Sequence, residues 1–545
     1  MSPPPASASA STEELEQELS AATISKKQLK KDARKAEKAR KASEQQQQPP
    51  PPPPPQEEED DPFAANYGHE EIQSKAISGR SWTDIGDVDE TAAGHSVLIR
   101  GFAQTIRPVS KKMGFVVLRQ RRSTVQCLLV ASADAGVSAQ MVRFAASLTK
   151  ESIVDVEGIV TPLKEPRKDL TQLVEIRVSK IYCINRAIPT LPLNFEDAAR
   201  TKAEFEAAEQ KGVPMVHVHQ DTRLNYRPID IRTPANLSIF TIEHHVESKF
   251  KEFLFSKNFI GIHTPKLIGG SSEGGASVFK LDYNGQPACL AQSPQLYKQM
   301  AICGGFGRVF EVGSVFRAEK SNTHRHLCEF IGLDAEMEIK EHYFEVCDII
   351  DGLFVAIFDH LNEHCKEELE EINRQNPFEP LTYLAQTLKL TYEQGIQMLK
   401  EAGTEIEPMG DLNTEAEKKL GRLVKEMYGT DFFILYRYPL AVRPFYTMPC
   451  YDDPAYSNSF DVFIRGEEII SGAQRIHTPK LLRERAIECG IDTSTIRSYI
   501  ESFSYGAPPH GGFGVGLERV VMLFCGLNNV RKTSLFPRDP QRLTP

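Results

Sequence analysis

Residues 511–519 read GGFGVGLER, a run of glycines placed directly before an apolar helical pattern at residues 520–524. Glycine lets the backbone approach a ligand closely, because it carries no side chain. The start of the helix and the guanidinium of Arg519 both offer positive charge to a phosphate group. The stretch therefore predicts a helix start that binds a phosphorylated ligand.

Two segments upstream extend this pattern. Phe316-Arg317-Ala318-Glu319 lies roughly two hundred residues before the glycine run, and Pro265 lies upstream of both. In chain order, the three resemble motifs 1, 2 and 3 of the class II aminoacyl-tRNA synthetases. Each segment alone could occur by chance, but chance is a poor explanation for all three in this order. The resemblance implies an α+β protein whose catalytic domain, at residues 231–545, is an antiparallel sheet flanked by helices.

Composition limits the class of protein. The chain has 545 residues, of which 40% are apolar and 25% charged, as in soluble globular proteins. No apolar run approaches the roughly 18 residues of a membrane span, and the N-terminus has no apolar secretory segment. Ten cysteines without a CxxC pair indicate reduced thiols rather than a disulfide framework or a zinc site. We expect a cytoplasmic protein with no membrane partner.

Residues 1–75 are predicted to form a low-complexity arm, basic and proline-rich, that is disordered or helical. Residues 26–41 contain nine Lys/Arg against two acidic residues, whereas the whole chain has a formal net charge of −10. A glutamine and proline spacer follows. Charge runs of this kind are often solvent-exposed segments that bind no partner. Four basic residues resemble the tRNA-binding arm of some eukaryotic synthetases, and they are Lys26, Lys27, Lys30 and Lys31.

Residues 76–190 contain about five short β-strand patterns with turn residues between them. This count suits an OB-fold barrel, whose sheet face binds single-stranded nucleic acid, although any small β-barrel has the same periodicity. The resemblance to class IIb synthetases implies that this domain binds the anticodon. The residues that match the anticodon-reading positions are Arg107, Phe115, Gln126 and Glu175. A charged helical hinge is predicted over residues 191–230.

The catalytic domain is predicted to begin with an amphipathic helix, because Ile239, Ile242 and Val246 recur at spacings of three and four. The resemblance makes this helix and the strand closed by Pro265 part of a homodimer interface, although an ordinary core helix has the same pattern. Residues of about 365–440 are helical and charged, and we interpret them as an insertion between motifs 2 and 3.

The resemblance also implies which residues bind ATP and magnesium. The arginine matching Arg317 bridges the α-phosphate and the substrate carboxylate in that family, and the one matching Arg519 lies on the γ-phosphate side. Glu468 and Ser471 match the positions that hold Mg²⁺, which is normally bound by one or two carboxylates and by phosphates. Arg317, Arg519 and Glu468 are the predicted catalytic residues. The predicted ATP-binding set is Arg317, Ala318, Glu319, Arg325, His326, Leu327, Phe330, Glu468, Gly516, Leu517, Glu518 and Arg519.

The choice of amino acid is predicted from residues 292–299, QSPQLYKQ, which match the aspartate-type signature. Lys298 and Arg475 together suit a side-chain carboxylate, because a guanidinium pairs with a carboxylate through two hydrogen bonds. A lysine-specific pocket would need acids, and a neutral asparagine amide would leave two buried cations uncompensated. The predicted aspartate-binding set is Glu273, Gln295, Lys298, Arg317, Asp334, Ser471 and Arg475.

From about residue 95 onwards the chain most resembles the eukaryotic cytoplasmic aspartyl-tRNA synthetases. This resemblance implies a homodimer that activates L-aspartate with ATP and then transfers aspartate to the 3′-terminal adenosine of tRNA-Asp. Three alternatives stay open: an asparaginyl-tRNA synthetase, a catalytically silent tRNA-binding paralogue, and a tRNA-independent adenylating enzyme. Lys298 weighs against the first, the three intact catalytic residues against the second, and the barrel and basic arm against the third.

Overall fold

The computed structural model describes residues 61–545 with short gaps, at residues 73, 75, 76, 164, 166, 168, 169 and 270–277. By its internal contacts the chain divides into Met1–Ala65 and Asn66–Pro545. Several predicted positions therefore lie outside the described residues, namely Lys26, Lys27, Lys30, Lys31 and Glu273. Within the described part, no helix is both long enough and apolar enough to cross a membrane.

The first folded part of Asn66–Pro545 is a β-sheet with one helix. Its elements are β1 (Tyr67–His69), β2 (Ser96–Ser110), β3 (Met113–Gln120), β4 (Ser123–Val130), α1 (Ala139–Ser147), β5 (Ile153–Pro162) and β6 (Val174–Asn185). The strand order is β1-β6-β4-β3-β2-β5, and β5 also pairs with β6, so β2 to β6 close into a barrel. Alternate residues such as Val125 and Cys127 fill the interior, because successive side chains point to opposite faces. The predicted five-stranded OB-like barrel is confirmed, and β1, from within the predicted arm, pairs with β6.

Four short helices follow the barrel where a hinge was predicted: α2 (Phe195–Ala198), α3 (Lys202–Gln210), α4 (Gln220–Asn225) and α5 (Arg227–Asp230). Within α5, Arg227 donates to Asp230 at 2.8 Å, and both side chains are buried. Glu151 of the barrel accepts hydrogen bonds from Arg119 at 2.7 Å and from Arg232 at 3.0 Å. Of these contacts, the one between Arg232 and Glu151 joins the barrel to the domain that follows.

The described residues of the catalytic domain contain eleven further strands. They are β7 (Ile260–Gly261), β8 (Leu267–Ile268), β9 (Lys280–Tyr283), β10 (Gln286–Leu290), β11 (Arg308–Phe316), β12 (Glu329–Glu338), β13 (Leu388–Thr391), β14 (Phe432–Tyr436), β15 (Ser459–Ile464), β16 (Glu467–Gln474) and β17 (His510–Gly516). Eight of them form one sheet in the order β13-β14-β15-β16-β17-β12-β11-β7, and β8, β10 and β9 form a small second sheet. Pairing in the large sheet is antiparallel except at its two ends. The predicted antiparallel sheet is confirmed.

Nine helices accompany these strands in the described residues. They are α6 (Pro234–Ser256), α7 (Gln295–Cys303), α8 (Phe344–His364), α9 (Lys366–Gln375), α10 (Tyr392–Glu401), α11 (Thr414–Tyr428), α12 (Pro479–Glu488), α13 (Arg497–Ser502) and α14 (Leu517–Phe524). Helices α6, α8 and α14 share one apolar core with Leu333 and Ala335 of β12. Asp334 and Glu336 alternate with those residues and therefore face the other side of the sheet.

The glycine run is strand β17 rather than a loop that opens the helix. In the register with β12, Gly512 lies opposite Glu336 and Gly514 lies opposite Asp334. A Cβ atom on Gly512 would collide with the Glu336 carboxylate, and one on Gly514 would lie 3.1 Å from Oδ1 of Asp334. The glycines therefore leave room for two carboxylates on this face, and α14 begins directly after the strand.

The segment predicted as an insertion contributes to the catalytic sheet. Strands β13 and β14 extend that sheet at one end, next to β15. Helices α10 and α11 cover these strands and share a separate apolar cluster with them, which includes Leu420 and Phe433. The insertion is therefore an extension of the catalytic domain with a small core of its own.

Candidate active site

A cavity of about 360 Å³ opens on the sheet face that carries Asp334. It is lined by many of the predicted residues, namely Gln295, Arg317, Glu319, Arg325, His326, Leu327, Phe330, Asp334, Glu468, Ser471, Arg475, Gly516, Glu518 and Arg519. Among the described residues predicted to bind ATP or aspartate, Ala318, Lys298 and Leu517 do not line it. Leu517 is buried in the core on the helix side of the sheet. The structure thus brings most of the predicted ATP-binding residues and most of the predicted aspartate-binding residues together in one cavity.

One row of residues crosses the cavity floor. In the strand registers, Asp334 lies opposite Gly514, Gly514 opposite Ser471, and Ser471 opposite Asp461. Residues directly opposite each other in paired strands point to the same face. The row therefore aligns the predicted Asp334 and Ser471, and it adds Asp461, which the sequence analysis missed.

A β-bulge brings Glu468 to the same face. Val462 of β15 pairs with Ile470, but its neighbour Phe463 pairs with Glu468, so Ile469 is an extra residue in β16. Residues three apart on a regular strand point to opposite faces, and one extra residue reverses that relation. Glu468 and Ser471 can therefore both face the cavity.

Glu468 is one of several acidic groups at this end of the cavity. Burial raises its pKa to about 7, and the nearby Asp461 carboxylate also acts to raise it. Asp461 accepts two hydrogen bonds from Arg443, at 2.9 and 2.7 Å, and Arg443 also donates to Oγ of Ser471 at 3.1 Å. Two carboxylates and one hydroxyl form an all-oxygen donor set of the kind that Mg²⁺ prefers. Neither Asp461 nor Arg443 stands out in the sequence, because only the folded chain brings them to Ser471.

The two cations predicted for substrate selection are held by two carboxylates on β12. Nζ of Lys298 lies 3.0 Å from Asp334 and 3.4 Å from Glu336, and Nε of Arg475 donates to Glu336 at 2.9 Å. Although burial acts to raise the pKa of Glu336, the charges of Arg475 and Lys298 outweigh it and hold that pKa below its ordinary value. Glu336 was missed in the sequence, although it stands two residues after Asp334 and so shares its face.

A buried hydrogen-bond network supports α7 next to this pocket. The side-chain oxygen of Gln299 accepts from Gln295 at 2.8 Å and from the Tyr499 hydroxyl at 2.9 Å. Its nitrogen lies 2.9 Å from Nε2 of His510, at the start of β17. This network fixes the orientation of Gln295 relative to β17, because all of its members are buried or nearly so.

Three arginines also line the cavity, and one of them contacts the backbone of Glu468. The guanidinium of Arg317 lies 5.5 Å from the centroid of the Phe330 ring. Arg519 donates to the backbone carbonyls of Glu468 at 2.9 Å and Arg325 at 3.2 Å, and burial lowers its pKa. Arg325 pairs with Glu417 of α11 at 2.7 Å. One arginine beside an aromatic ring, with two more arginines lining the same cavity, suits a planar, polyanionic ligand such as a nucleoside triphosphate.

Replacing Glu518 with glutamine should remove a pH dependence of stability. Its carboxylate is buried, and both oxygens accept from the Ile331 amide, at 3.0 and 3.2 Å. Burial raises the pKa of Glu518 from its ordinary value of 4.5 to about 8. The folded protein thus keeps a proton that the unfolded chain releases, so the stability from this group is lost as pH rises from about 4.5 through 8.

The measurement for Glu518 is denaturant unfolding of both proteins across this pH window. We expect the free energy of unfolding of the wild type to fall relative to Glu518→Gln, by up to about 1.4 kcal/mol per pH unit. The free energy of unfolding is measured for both proteins from pH 5 to pH 8, at intervals of about one pH unit. If the difference between the two values stays constant over this range, Glu518 is not a buried, protonated carboxyl group.

The four predicted anticodon residues share one face of the barrel sheet. Arg107 lies opposite Phe115 across β2 and β3, and Gln126 lies opposite Glu175 across β4 and β6. Val117 lies opposite Gln126 and two residues after Phe115, which places both pairs on the same face. Phe115 is partly exposed, whereas Gln126 is buried and donates to Glu175 at 3.0 Å.

Comparisons with known proteins agree with this arrangement. A family model described as "tRNA synthetases class II (D, K and N)" matches residues 219–540. The chain is 62% identical to "Aspartate--tRNA ligase 2, cytoplasmic" of Arabidopsis thaliana, over 89% of each chain. It is 51% identical to "Aspartate--tRNA ligase, cytoplasmic" of Homo sapiens, over 87% of this chain and 93% of the human one.

Solved structures give the same grouping. The aspartyl tRNA synthetase from Entamoeba histolytica superposes with a TM-score of 0.81 and 45% identity, over 88% of this chain and 96% of that one. The asparaginyl-tRNA synthetase from Pyrococcus horikoshii gives a TM-score of 0.72 and 28% identity, over 85% of this chain and 100% of that one. The chain therefore belongs to the class II tRNA synthetases of the aspartate, lysine and asparagine group, and within it to the aspartate–tRNA ligases.

Proposed function

We propose that the chain attaches L-aspartate to tRNA-Asp in the cytoplasm, with ATP as the energy source. The observation that carries this proposal is the buried pair of cations, Lys298 and Arg475, held in place by Asp334 and Glu336. Asp334 and Glu336 balance these two charges, so the preference for a carboxylate rests on Arg475, which lines the cavity. A guanidinium pairs with a carboxylate through two charge-assisted hydrogen bonds, which a neutral amide cannot match. The other end of the same cavity supplies Arg317 and Arg519 for the triphosphate.

The proposed reaction has two steps. An oxygen of the aspartate α-carboxylate attacks the α-phosphorus of ATP, and pyrophosphate leaves, which gives aspartyl-adenylate. A hydroxyl of the 3′-terminal adenosine of tRNA then attacks the activated carbonyl carbon, and AMP leaves. In this proposal Arg317 neutralises the charge that develops at the α-phosphate, Asp334 pairs with the α-ammonium group and Arg475 pairs with the side-chain carboxylate. Positioning and electrostatics suffice, since no covalent intermediate with the protein is needed.

Magnesium is part of this proposal. Glu468 and Ser471, which line the cavity, would hold the ion together with Asp461, which the strand register places on the same face of the sheet. A bound Mg²⁺ would supply positive charge to the pyrophosphate group as it leaves. The bulge in β16 supports this assignment, because an extra residue at a sheet position is a feature that re-aims a side chain.

The test of the proposed function is amino-acid-dependent ATP–pyrophosphate exchange on the purified chain, with aspartate, asparagine and lysine in parallel. We expect exchange with aspartate alone. Exchange with asparagine or lysine would support the proposed activation reaction but contradict the proposed specificity for aspartate. No exchange with any of the three, from protein with a cooperative unfolding transition, would indicate a silent tRNA-binding paralogue.

We also propose a homodimer that forms at the β7 edge of the catalytic sheet. β7 is the last strand of that sheet, and Pro265 is exposed between β7 and β8. Large apolar side chains are exposed on these elements and at the end of α6, with Phe255 60%, Ile260 48% and Leu267 50% exposed. An apolar sheet edge of this kind is typical of an interaction surface. Sedimentation should give twice the mass of the chain, and Ile260→Lys should shift it towards the monomer.

The proposed domain limits place the barrel at residues 76–190, the hinge at 191–230 and the catalytic domain at 231–545.

Phe115 tests the role of the barrel. Phe115→Ala should raise the KM for tRNA, because stacking contributes about 1–3 kcal/mol per base. Aspartate-dependent pyrophosphate exchange, which needs no tRNA, is the internal control. An unchanged tRNA KM would place Phe115 among the structural residues of the barrel.

Removal of residues 1–60 tests the basic segment, and it leaves β1 at Tyr67–His69 intact. Lys26, Lys27, Lys30 and Lys31 are absent from this variant. We expect weaker tRNA binding and a shallower dependence on salt, with the slope reduced by roughly 0.7–0.9 for each phosphate that is no longer neutralised. Pyrophosphate exchange should be unaffected. A salt dependence equal to that of the full chain would mean that the basic run is only solvated.

A further inference from the structure

Two histidines and one cysteine converge between helices on the far side of the catalytic sheet from the cavity. His245 belongs to α6, His360 to the last turn but one of α8, and Cys365 is the residue between α8 and α9. Nδ1 of His245 lies 3.0 Å from Nε2 of His360. One ligand atom from each of the three residues lies within 4.8 Å of the others, and the described part of the chain holds no other group of this kind.

The chemistry of these three atoms is that of a transition-metal site. Imidazole nitrogens and a cysteine sulfur are the ligands that Zn²⁺ takes in proteins, with bonds of about 2.0–2.3 Å. Two ring nitrogens that face each other at 3.0 Å, with a buried thiol next to them, can close around an ion with small side-chain movements. Calcium and magnesium do not fit this donor set, because they prefer oxygen.

We propose that His245, His360 and Cys365 bind one zinc ion, with water in the fourth position. Binding would release the thiol proton to solvent, since the thiolate is the form of cysteine that ligates a metal. The site lies outside the cavity that holds Arg317 and Arg519, and none of its three residues lines that cavity. Its role would therefore be structural.

The position of Cys365 indicates what such an ion would stabilise. Helix α9 begins at the next residue, and its Glu368 accepts a hydrogen bond from Arg122 of the barrel at 2.6 Å. Gln375, at the other end of α9, donates to the carbonyl of Ala198 in the hinge at 2.5 Å. An ion that joins α6, α8 and the start of α9 would thus fix the helix that contacts both the barrel and the hinge.

The proposed site differs from the zinc sites that a sequence pattern can reveal. The chain has no CxxC pair, and its sequence therefore predicts no zinc site. The ligands of the proposed site are spread instead over two helices whose histidines are 115 residues apart. Spacing along the chain therefore carries no signal for it. Only the packing of α6 against α8 brings His245 to His360.

The test is metal binding by the full-length protein after chelator treatment and gel filtration, with Zn²⁺ and Co²⁺ as probes. We expect one ion per chain, a rise in Tm on addition of Zn²⁺, and a thiolate-to-cobalt charge-transfer band in the Co²⁺ protein. Cys365→Ser should abolish that band. His245→Gln and His360→Gln should weaken binding by more than about tenfold, the scale on which even outer partners of a metal act.

Matched controls are His244→Gln and His364→Gln, which remove neighbouring histidines outside the converging group. His244 stacks edge-on against His245, and His364 lies one turn after His360. Both controls should keep the ion and the charge-transfer band. Absence of stoichiometric binding, or a band that survives Cys365→Ser, would overturn the proposal. Equal losses of metal affinity in the control variants and the ligand variants would also overturn it. This comparison uses variants whose metal-free forms keep the Tm of the metal-free wild type.

Discussion

Arg317→Ala should abolish aspartate-dependent pyrophosphate exchange and leave the affinity for tRNA nearly intact. Arg317 lines the cavity at the end of β11, beside the Phe330 ring, where it faces the position proposed for the α-phosphate. A fixed cation aimed at developing charge acts mainly on the transition state, so its loss should lower the rate by at least about 10²–10³-fold. The measurements are pyrophosphate exchange and a tRNA binding titration on the same preparation.

Two further variants make the Arg317 result specific. Arg317→Lys keeps the charge but loses the planar fork, so we expect a partial defect. Arg308→Ala removes an arginine from the opposite end of the same strand, where its side chain donates to the carbonyl of Lys257, and should leave exchange unchanged. If Arg317→Ala and Arg308→Ala lose activity alike, or if tRNA binding falls together with exchange, Arg317 does not have the proposed role.

Arg475→Leu should both destabilise the protein and eliminate aspartate activation. The side chain of Glu336 is fully buried, and Arg475 donates to it at 2.9 and 3.3 Å. Removal of Arg475 leaves the buried Glu336 carboxylate with only the longer contact to Lys298, at 3.4 Å, at a cost of up to about 3–5 kcal/mol in the free energy of unfolding. Denaturant unfolding measures this loss, and pyrophosphate exchange measures the loss of activity.

A double variant separates the two effects of Arg475. In Arg475→Leu combined with Glu336→Gln, the uncompensated charge is gone, while Lys298 still pairs with Asp334 at 3.0 Å. We expect most of the lost stability to return but no aspartate activation, because the guanidinium that would face the substrate carboxylate is still absent. Recovery of activity together with stability would show that Arg475 acts only by holding the fold.

Local patterns of the sequence are sufficient to predict several elements of this fold. The apolar spacing of Ile239, Ile242 and Val246 correctly predicts the buried face of α6, since a helix repeats its surface every 3.6 residues. The five strands of the barrel follow from apolar and β-branched runs in the same way. The glycine run correctly predicts that a helix begins after it, at Leu517, but Gly511 to Gly516 belong to strand β17, which was not predicted. Backbone proximity to Asp334 and Glu336, rather than a turn, requires glycine there.

The family, the residues proposed for the catalytic centre and several elements of the fold could be predicted from the sequence, because they depend on local order along the chain. Which side chains meet depends on the folded chain. Strand pairing aligns Asp334 with Ser471 and Asp461, and a bulge of one residue brings Glu468 to their face. Helix packing brings His245 to His360. These relations join segments that are distant in sequence, and no periodicity within one segment encodes the register or the partner of another.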